Sequence, residues 1–212
     1  MKIAVSGSAG VGKTTLVTGL SRALGIPCIS EEMRDYMVFT DQPLADRSTS
    51  EIAVVLAALW DARVSRESVL PAFVADNSSL DFIAYVLFYR CQHQAAVQPL
   101  LKEAWDRVRM YDACFILPFG AIPYVNDGIR PRRQESQRNY QRILERLYRK
   151  QRKATTVHRL PLDCRVEEER LQWAISALSE VRQATNSTVD LELQMGDTSH
   201  ASPMPYPPPR PK

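Results

Sequence analysis

Apolar residues along this chain fall into short unbroken runs that alternate with longer amphipathic stretches. The runs at 2–6, 27–30, 72–76, 113–117 and 155–160 have the length and branched or aromatic content of strands. Residues 13–24, 51–69, 79–90, 94–108, 134–151 and 165–183 instead carry apolar positions at helical spacing, as Leu16, Leu20 and Ala23 do in the first. This alternation predicts an α/β fold, a doubly wound parallel sheet of about five strands with helices on both faces. Right-handed crossovers would then place a functional site at the carboxyl ends of the strands. No internal repeat is evident. Beyond Ala184 the chain turns polar and ends in a proline-rich run from Pro203 to Lys212. Such a segment buries too little surface to offset its ordering entropy. The expected organisation is one domain over residues 1–185 and a disordered proline-rich tail over 186–212. Pro205, Pro208 and Arg210 also fit a polyproline ligand pattern for a protein partner, although a simply solvated tail accounts for them.

The junction between the first strand and the first helix carries the strongest chemical signal. Gly7, Ser8, Ala9, Gly10, Val11, Gly12, Lys13 and Thr14, followed by Thr15, fit G-x-x-x-x-G-K-[ST]. Glycines let the backbone curl so that its amides face a polyphosphate, and the helix adds the positive end of its dipole. Lys13 would reach the β- and γ-phosphates, and the Thr14 hydroxyl would ligate Mg²⁺. This is the phosphate-binding loop of P-loop NTPases, with ATP and Mg²⁺ as the expected cofactors. Lys13 is expected to be accessible to solvent when no nucleotide is bound.

Composition narrows the setting. The 212 residues are 45% hydrophobic and carry a formal charge of +3, enough for a full core and only mildly basic. A polyanionic partner is permitted without being demanded. Cys28, Cys91, Cys114 and Cys164 are dispersed and form no CxxC pair, so a reducing cytoplasmic compartment is the simplest reading. No run of 18 apolar residues exists, and no membrane span is expected.

Phosphoryl transfer needs metal ligands, a group to position or deprotonate the acceptor, and cations for the transferring phosphoryl. Asp76 ends the third strand run, where it would hold the metal through water or accept a proton; a plain helix N-cap is the alternative. Asp81 lies in the first turn of the next helix, where the dipole alone favours an acid; substrate contact and this local role are equally open. Glu31 and Arg34 follow the second strand one helical turn apart. They form either a local ion pair or part of an acceptor pocket. Asn126 to Arg133 is turn-forming and rich in arginine, and suits an Arg-rich lid in which Arg130 and Arg133, with Arg138 a weaker candidate, neutralise the transferring group. Arg142, Arg146 and Arg149 read as a solvated face, and a nucleic-acid footprint is a third option. His93, His158 and His200 show no ligand spacing.

Together these residues resemble the P-loop kinase-type domain of bifunctional NAD-synthesis regulators, which phosphorylates nicotinamide riboside. The resemblance runs over about residues 1–180. It rests on Gly7 to Thr15, on Glu31, Arg34 and Tyr36, on Asp76, Asp81 and Tyr85, on Asp127, Gly128 and Arg130, and on Glu168, Glu169, Arg170 and Leu171. Members often carry Asp-Arg at the third strand end, where this chain has Asp76–Asn77, a departure that touches the acceptor contacts. Their adenylyltransferase domain has no counterpart here, so the chain reads as a stand-alone kinase-like domain. The resemblance implies ATP:Mg²⁺-dependent transfer to the hydroxyl of a nucleoside-like acceptor. Compact kinases of bacteriophages that phosphorylate a hydroxymethylated pyrimidine in DNA are similar, which keeps DNA open as a polymer acceptor. A nucleotide-dependent ATPase switch with a protein partner and no phosphoacceptor is the other reading.

Overall fold

The computed structural model describes residues 1–31, 33, 36, 44–123, 134–151 and 154–180. Five strands form one sheet: β1 (Lys2–Ser6), β2 (Cys28–Ile29), β3 (Phe73–Asp76), β4 (Ala113–Ile116) and β5 (Thr156–Arg159). Their spatial order is β2-β3-β1-β4-β5, and every pairing is parallel. The chain therefore places β3 on one side of β1 and β4 on the other, which makes the carboxyl end of β1 the place where the winding direction switches.

Six helices are present among the described residues: α1 (Lys13–Leu24), α2 (Thr49–Val69), α3 (Ser79–Phe88), α4 (Gln98–Arg107), α5 (Gln134–Lys150) and α6 (167–180). The two-residue period of the strands assigns them to faces. Ile3 and Val5 of β1, Val74 of β3 and Phe115 of β4 pack on Leu16, Val17 and Leu20 of α1 and Ala174 and Leu178 of α6. Ala4, Phe73, Ala75, Cys114 and Ile116 face the other way, onto α2, α3, α4 and α5. Both faces are covered, which is why the strands read as continuous apolar runs rather than alternating ones. His158 stacks on Phe115 and meets Trp173 edge-on in the first of these layers, at 5.2 and 6.3 Å between ring centroids.

Element ends differ from the sequence expectation for local reasons. α2 begins at Thr49 rather than 51, because Ser48 and Glu51 close a capping box. α3 stops at Phe88, two residues before Arg90 takes a left-handed φ of 58°. α4 starts at Gln98, with Pro99 in its first turn, where a missing amide hydrogen costs nothing. No described helix is long and apolar enough to cross a membrane. The tail expected over 186–212 lies outside the described residues.

A charged cluster is buried beneath β3. Glu67 of α2 has no exposed surface. Its carboxylate meets Arg63 Nε at 3.0 Å and Arg107 Nε at 2.9 Å, and accepts from the Tyr111 hydroxyl at 2.7 Å. Burial and the adjacent carboxylate keep the Tyr111 hydroxyl well above its ordinary titration range, despite the opposing charge of Arg63. Removing one partner from such a cluster strands the other charges. Glu67→Ala is expected to lower the free energy of unfolding by about 3–5 kcal/mol. Denaturant unfolding checks this, and a loss under about 1 kcal/mol, the worth of a surface pair, would refute it.

Candidate functional site

The loop between β1 and α1 is shaped by two close approaches. A Cβ on Gly7 would lie 2.9 Å from Val11 Cγ2 and 3.0 Å from the Leu117 carbonyl oxygen. Gly12 has a φ of 84°, and a Cβ there would stand 2.6 Å from Arg170 Nη1. Gly12 is also the N-cap of α1 and provides no side-chain cap for its first-turn amides, an arrangement open to an anion. Lys13 departs from the expectation of an accessible side chain. It is 5% exposed, and its ammonium donates to the Ser8 carbonyl at 3.2 Å. The curled loop supplies its own acceptor, so the charge is held inside the cradle.

Two glutamines that sequence reasoning missed support the loop from α5. The Ser8 amide donates to Gln141 Oε1 at 2.9 Å, and the Ala9 amide to Gln137 Oε1 at 3.0 Å. Gln141 Nε2 donates in turn to the Leu117 carbonyl at 3.2 Å, tying loop, helix and β4 end together. Both glutamines are nearly buried. The available signal was polar residues at positions 137 and 141, one turn apart beside the apolar stripe of Tyr140, Leu144 and Leu147.

Asp76 closes β3 with 1% of its surface exposed. The Thr14 hydroxyl donates to its Oδ2 at 2.6 Å, so the loop threonine and the strand-end carboxylate meet face to face. The next residue, Asn77, has a φ of 77°, a conformation asparagine tolerates better than most side chains. Its amide donates to the Val5 carbonyl at 2.9 Å. Arg63, a residue sequence reasoning did not single out, donates from Nη1 to the Asp76 carbonyl at 3.3 Å and from Nη2 to that of Asn77.

Beside this turn lies a small cavity of about 40 Å³. Its apolar wall is Met33, Leu56, Trp60, Phe82 and Tyr85, and its polar wall is Arg63, Asn77, Ser78 and Asp81. The rings of Trp60 and Phe82 are 4.7 Å apart. Glu31 is 4% exposed and accepts from the Tyr85 hydroxyl at 2.9 Å, which holds one aromatic wall in place.

Asp81 lines this cavity, but its carboxylate is engaged inside the fold. Oδ2 accepts from the Ser6 hydroxyl and from the amide and hydroxyl of Ser78 at 2.8 and 2.9 Å, while Oδ1 accepts from the Tyr140 hydroxyl at 3.1 Å. Ser78 and Asp81 form the capping box of α3, the local role. Tyr148 of α5 completes the network by bonding Ser6 Oγ at 2.7 Å and Ser78 Oγ at 2.8 Å. Burial raises the Asp81 carboxyl above its ordinary range, against the Ser6 and Ser78 bonds and the Lys13 charge.

On the far side of the loop, Gly12, Thr15, Leu16 and Gly19 face Ile122 and residues 165–168, 170 and 171 across a larger cavity of about 420 Å³. Arg34, Asp127, Gly128, Arg130 and Arg133, and with them the proposed lid, lie outside the described residues. Arg138 is exposed and sits over the Phe119 ring at 5.6 Å. Arg142, Arg146 and Arg149 are exposed on α5. Among the described residues no group of three His, Cys, Asp or Glu side chains could hold a metal ion. A hydroxyl and a carboxylate in contact, as Thr14 and Asp76 are, fit Mg²⁺, which keeps waters and takes its remaining ligands from substrate phosphates.

Comparison with known proteins agrees with this geometry. The model of the AAA-domain family matches residues 2–189. No curated protein sequence matches. Among solved structures, NadR protein in complex with NR superposes with a TM-score of 0.65 at 24% identity, covering 85% of this chain and 51% of that one. NadR with NAD and AMP-PNP gives 0.64 at 23%, with 85% and 49% covered. Deoxyadenosine kinase from M. mycoides, with dCMP and dCDP bound, gives 0.64 at 14%, with 85% and 100% covered. The chain thus spans about half the length of the NadR chains, and at these identities the likeness is one of fold.

The raised Asp81 carboxyl has a consequence with a definite sign. The native state holds this proton more tightly than the unfolded chain does. The resulting stability is fully present below the unfolded carboxyl range, about pH 4, and is lost as pH rises through the raised native value. Asp81→Asn removes the titration. The stability of wild type relative to Asp81→Asn is expected to be greatest near pH 4 and to fall toward pH 8, read by thermal unfolding. A difference independent of pH would contradict it.

Proposed function

From the premise that the chain belongs to the AAA-domain family, we propose that it is an ATP-dependent kinase that transfers the γ-phosphoryl group to a hydroxyl of a nucleoside-like acceptor. The observation that carries this reading is the contact of the loop Thr14 with the strand-end Asp76, which a cleft walled by Trp60, Phe82 and Tyr85 adjoins. An ATPase switch needs room for a nucleotide and a water. The aromatic-walled cleft beside Asp76 has the lining a flat ring and a sugar need, stacking surface with a few fixed polar groups, and it would widen to admit them. The NadR and deoxyadenosine kinase folds support the same direction.

In this reading the amides that open α1 bind the polyphosphate, and the base and ribose occupy the larger cavity. Lys13 leaves the Ser8 carbonyl to neutralise the β- and γ-phosphates. Thr14 and Asp76 would hold Mg²⁺, which supplies charge neutralisation across the β- and γ-oxygens. Asp76 also positions the acceptor hydroxyl or takes its proton. Glu31, through Tyr85, and Arg63 shape the acceptor seat, with Arg34 assigned to the same pocket. Asp81 shapes that seat from behind, as cap and network centre. Arg130 and Arg133 keep the part given them by the sequence, cations for the transferring group.

The test is incubation with γ-labelled ATP and separate panels of ribonucleosides, deoxyribonucleosides and oligonucleotides carrying hydroxymethylated pyrimidines. Label is expected in a nucleoside fraction. Release as inorganic phosphate alone would select the ATPase reading, and label in oligonucleotide the polymer acceptor. Lys13→Ala is expected to abolish transfer, and transfer at the wild-type rate would sink its assignment. Asp76→Asn keeps the shape of the side chain and removes its basicity. Turnover is expected to fall by about 10²–10⁴ while ATP affinity changes far less. A loss of stability with turnover intact would make Asp76 a structural cap.

A further inference from the structure

One buried cation stands apart from the groups used so far. Arg170 lies in the first turns of α6 and is 5% exposed. Its Nε donates to the Cys164 carbonyl at 3.1 Å, and its Nη1 to the Val11 carbonyl at 2.8 Å. Both partners are neutral. Nη2 is buried and has no hydrogen-bond partner among the described residues. A desolvated guanidinium with one nitrogen unused is costly, and a charge-assisted bond to an anion would recover that cost. The two carbonyls hold the fork in place, so the direction of the third nitrogen is set before any ligand arrives.

The surroundings narrow the anion. Arg170 touches the phosphate loop at Val11 and stands within contact of Gly12. It also lines the cavity of about 420 Å³ shared with Thr15 and Gly19. Of the parts of a nucleotide, only the phosphates carry charge. Lys13 and Thr14 belong with the β- and γ-groups. The α-phosphate joins these to the ribose, and so falls between the loop and this cavity. We infer that Arg170 is a nucleotide-binding residue whose Nη2 donates to the α-phosphate of the bound nucleotide. The inference rests on the kinase reading above, and it gives the Glu168-Glu169-Arg170-Leu171 segment a role: it joins the base side of the site to the loop.

Equilibrium binding of ATP, of ADP and of the two diastereomers of adenosine 5′-O-(1-thiotriphosphate) tests it. Wild type, Arg170→Met and Arg170→Lys are compared, with thermal unfolding alongside. Wild type is expected to prefer one diastereomer, because only one places oxygen rather than sulfur before Nη2. Arg170→Met is expected to weaken ATP and ADP by the same factor, about 10- to 100-fold, and to erase that preference. Should Arg170→Met not fold, Arg170→Lys carries the test, since an ammonium cannot reproduce the fork; weaker binding with a changed preference is the expected result. Loss for ATP alone would put the contact at the γ-phosphate and overturn the assignment. Unchanged affinities, an unaltered preference, or a wild type without any preference would also overturn it. A wild type that binds neither ATP nor ADP would sink the kinase reading and this inference together, an outcome distinct from all the others.

Discussion

A strand that ends in Asp76–Asn77 leaves two carbonyls at the edge of a buried sheet, where leaving either unpaired would cost about 1–3 kcal/mol. Arg63 takes both from the neighbouring helix, and Glu67 keeps its guanidinium from being a buried, uncompensated charge. Much of the site depends on this tie. The left-handed turn at Asn77 is fixed from behind, which aims Asp76 at Thr14 and sets one wall of the aromatic-lined cavity. Glu67 is itself fixed by Arg107 and Tyr111, from α4 and the segment before β4. The position of a single strand-end carboxylate therefore rests on three separate stretches of chain.

The other organising element is α5. Gln137 and Gln141 hold the loop amides of Ser8 and Ala9, while Tyr140 and Tyr148 reach the Asp81 network at the start of α3. One helix face thus contacts the glycine loop and the Asp81 network together. Burial pushes both tyrosine hydroxyls well above their ordinary range, so they stay neutral and serve as fixed donors to Asp81 and Ser78. This geometry lets α5 keep the two halves of the site in register through hydrogen bonds rather than apolar packing alone.

The parts of this arrangement legible in the sequence are those governed by local pattern. Buried parallel strands must be apolar on both faces, so Ile3 to Val5 and Phe73 to Ala75 declared themselves. The loop needs Gly7 and Gly12 for reasons of space, and the motif states them. Glu31, Asp76 and Asp81 were found by their position at strand ends or in a first helical turn. What pattern could not reveal depends on distant partners. Arg63 and Glu67 look like an ordinary i, i+4 pair on a helix, and only the fold turns the arginine toward Asp76. Gln137 and Gln141 have side chains that suit a surface equally well. Lys13 was expected in solvent because the motif says what it binds, not where it rests without a ligand. For Asp81 the sequence left two roles level, and four hydrogen bonds within the fold favour the local one. Arg34, Arg130 and Arg133 lie outside the described residues, so the lid remains a reading of sequence.

The Asp76–Asn77 departure from the resembled pattern now has a physical context. At a φ of 77° asparagine is several-fold enriched over most other residues, arginine among them, although Arg90 holds a φ of 58°. An arginine following Asp76 would have to hold that conformation or alter the turn. Here the guanidinium comes from Arg63, whose side chain lines the same cavity and whose bonds stabilise the turn that Asn77 adopts. Charge at the cavity wall and conformation at the strand end are thus separated onto two residues. The separation matters for any kinase reading of the site. The Arg63 guanidinium is anchored to Glu67 and to two carbonyls, which suits it to shaping the pocket; under the kinase proposal a cation that follows the transferring phosphoryl would come from elsewhere in the chain.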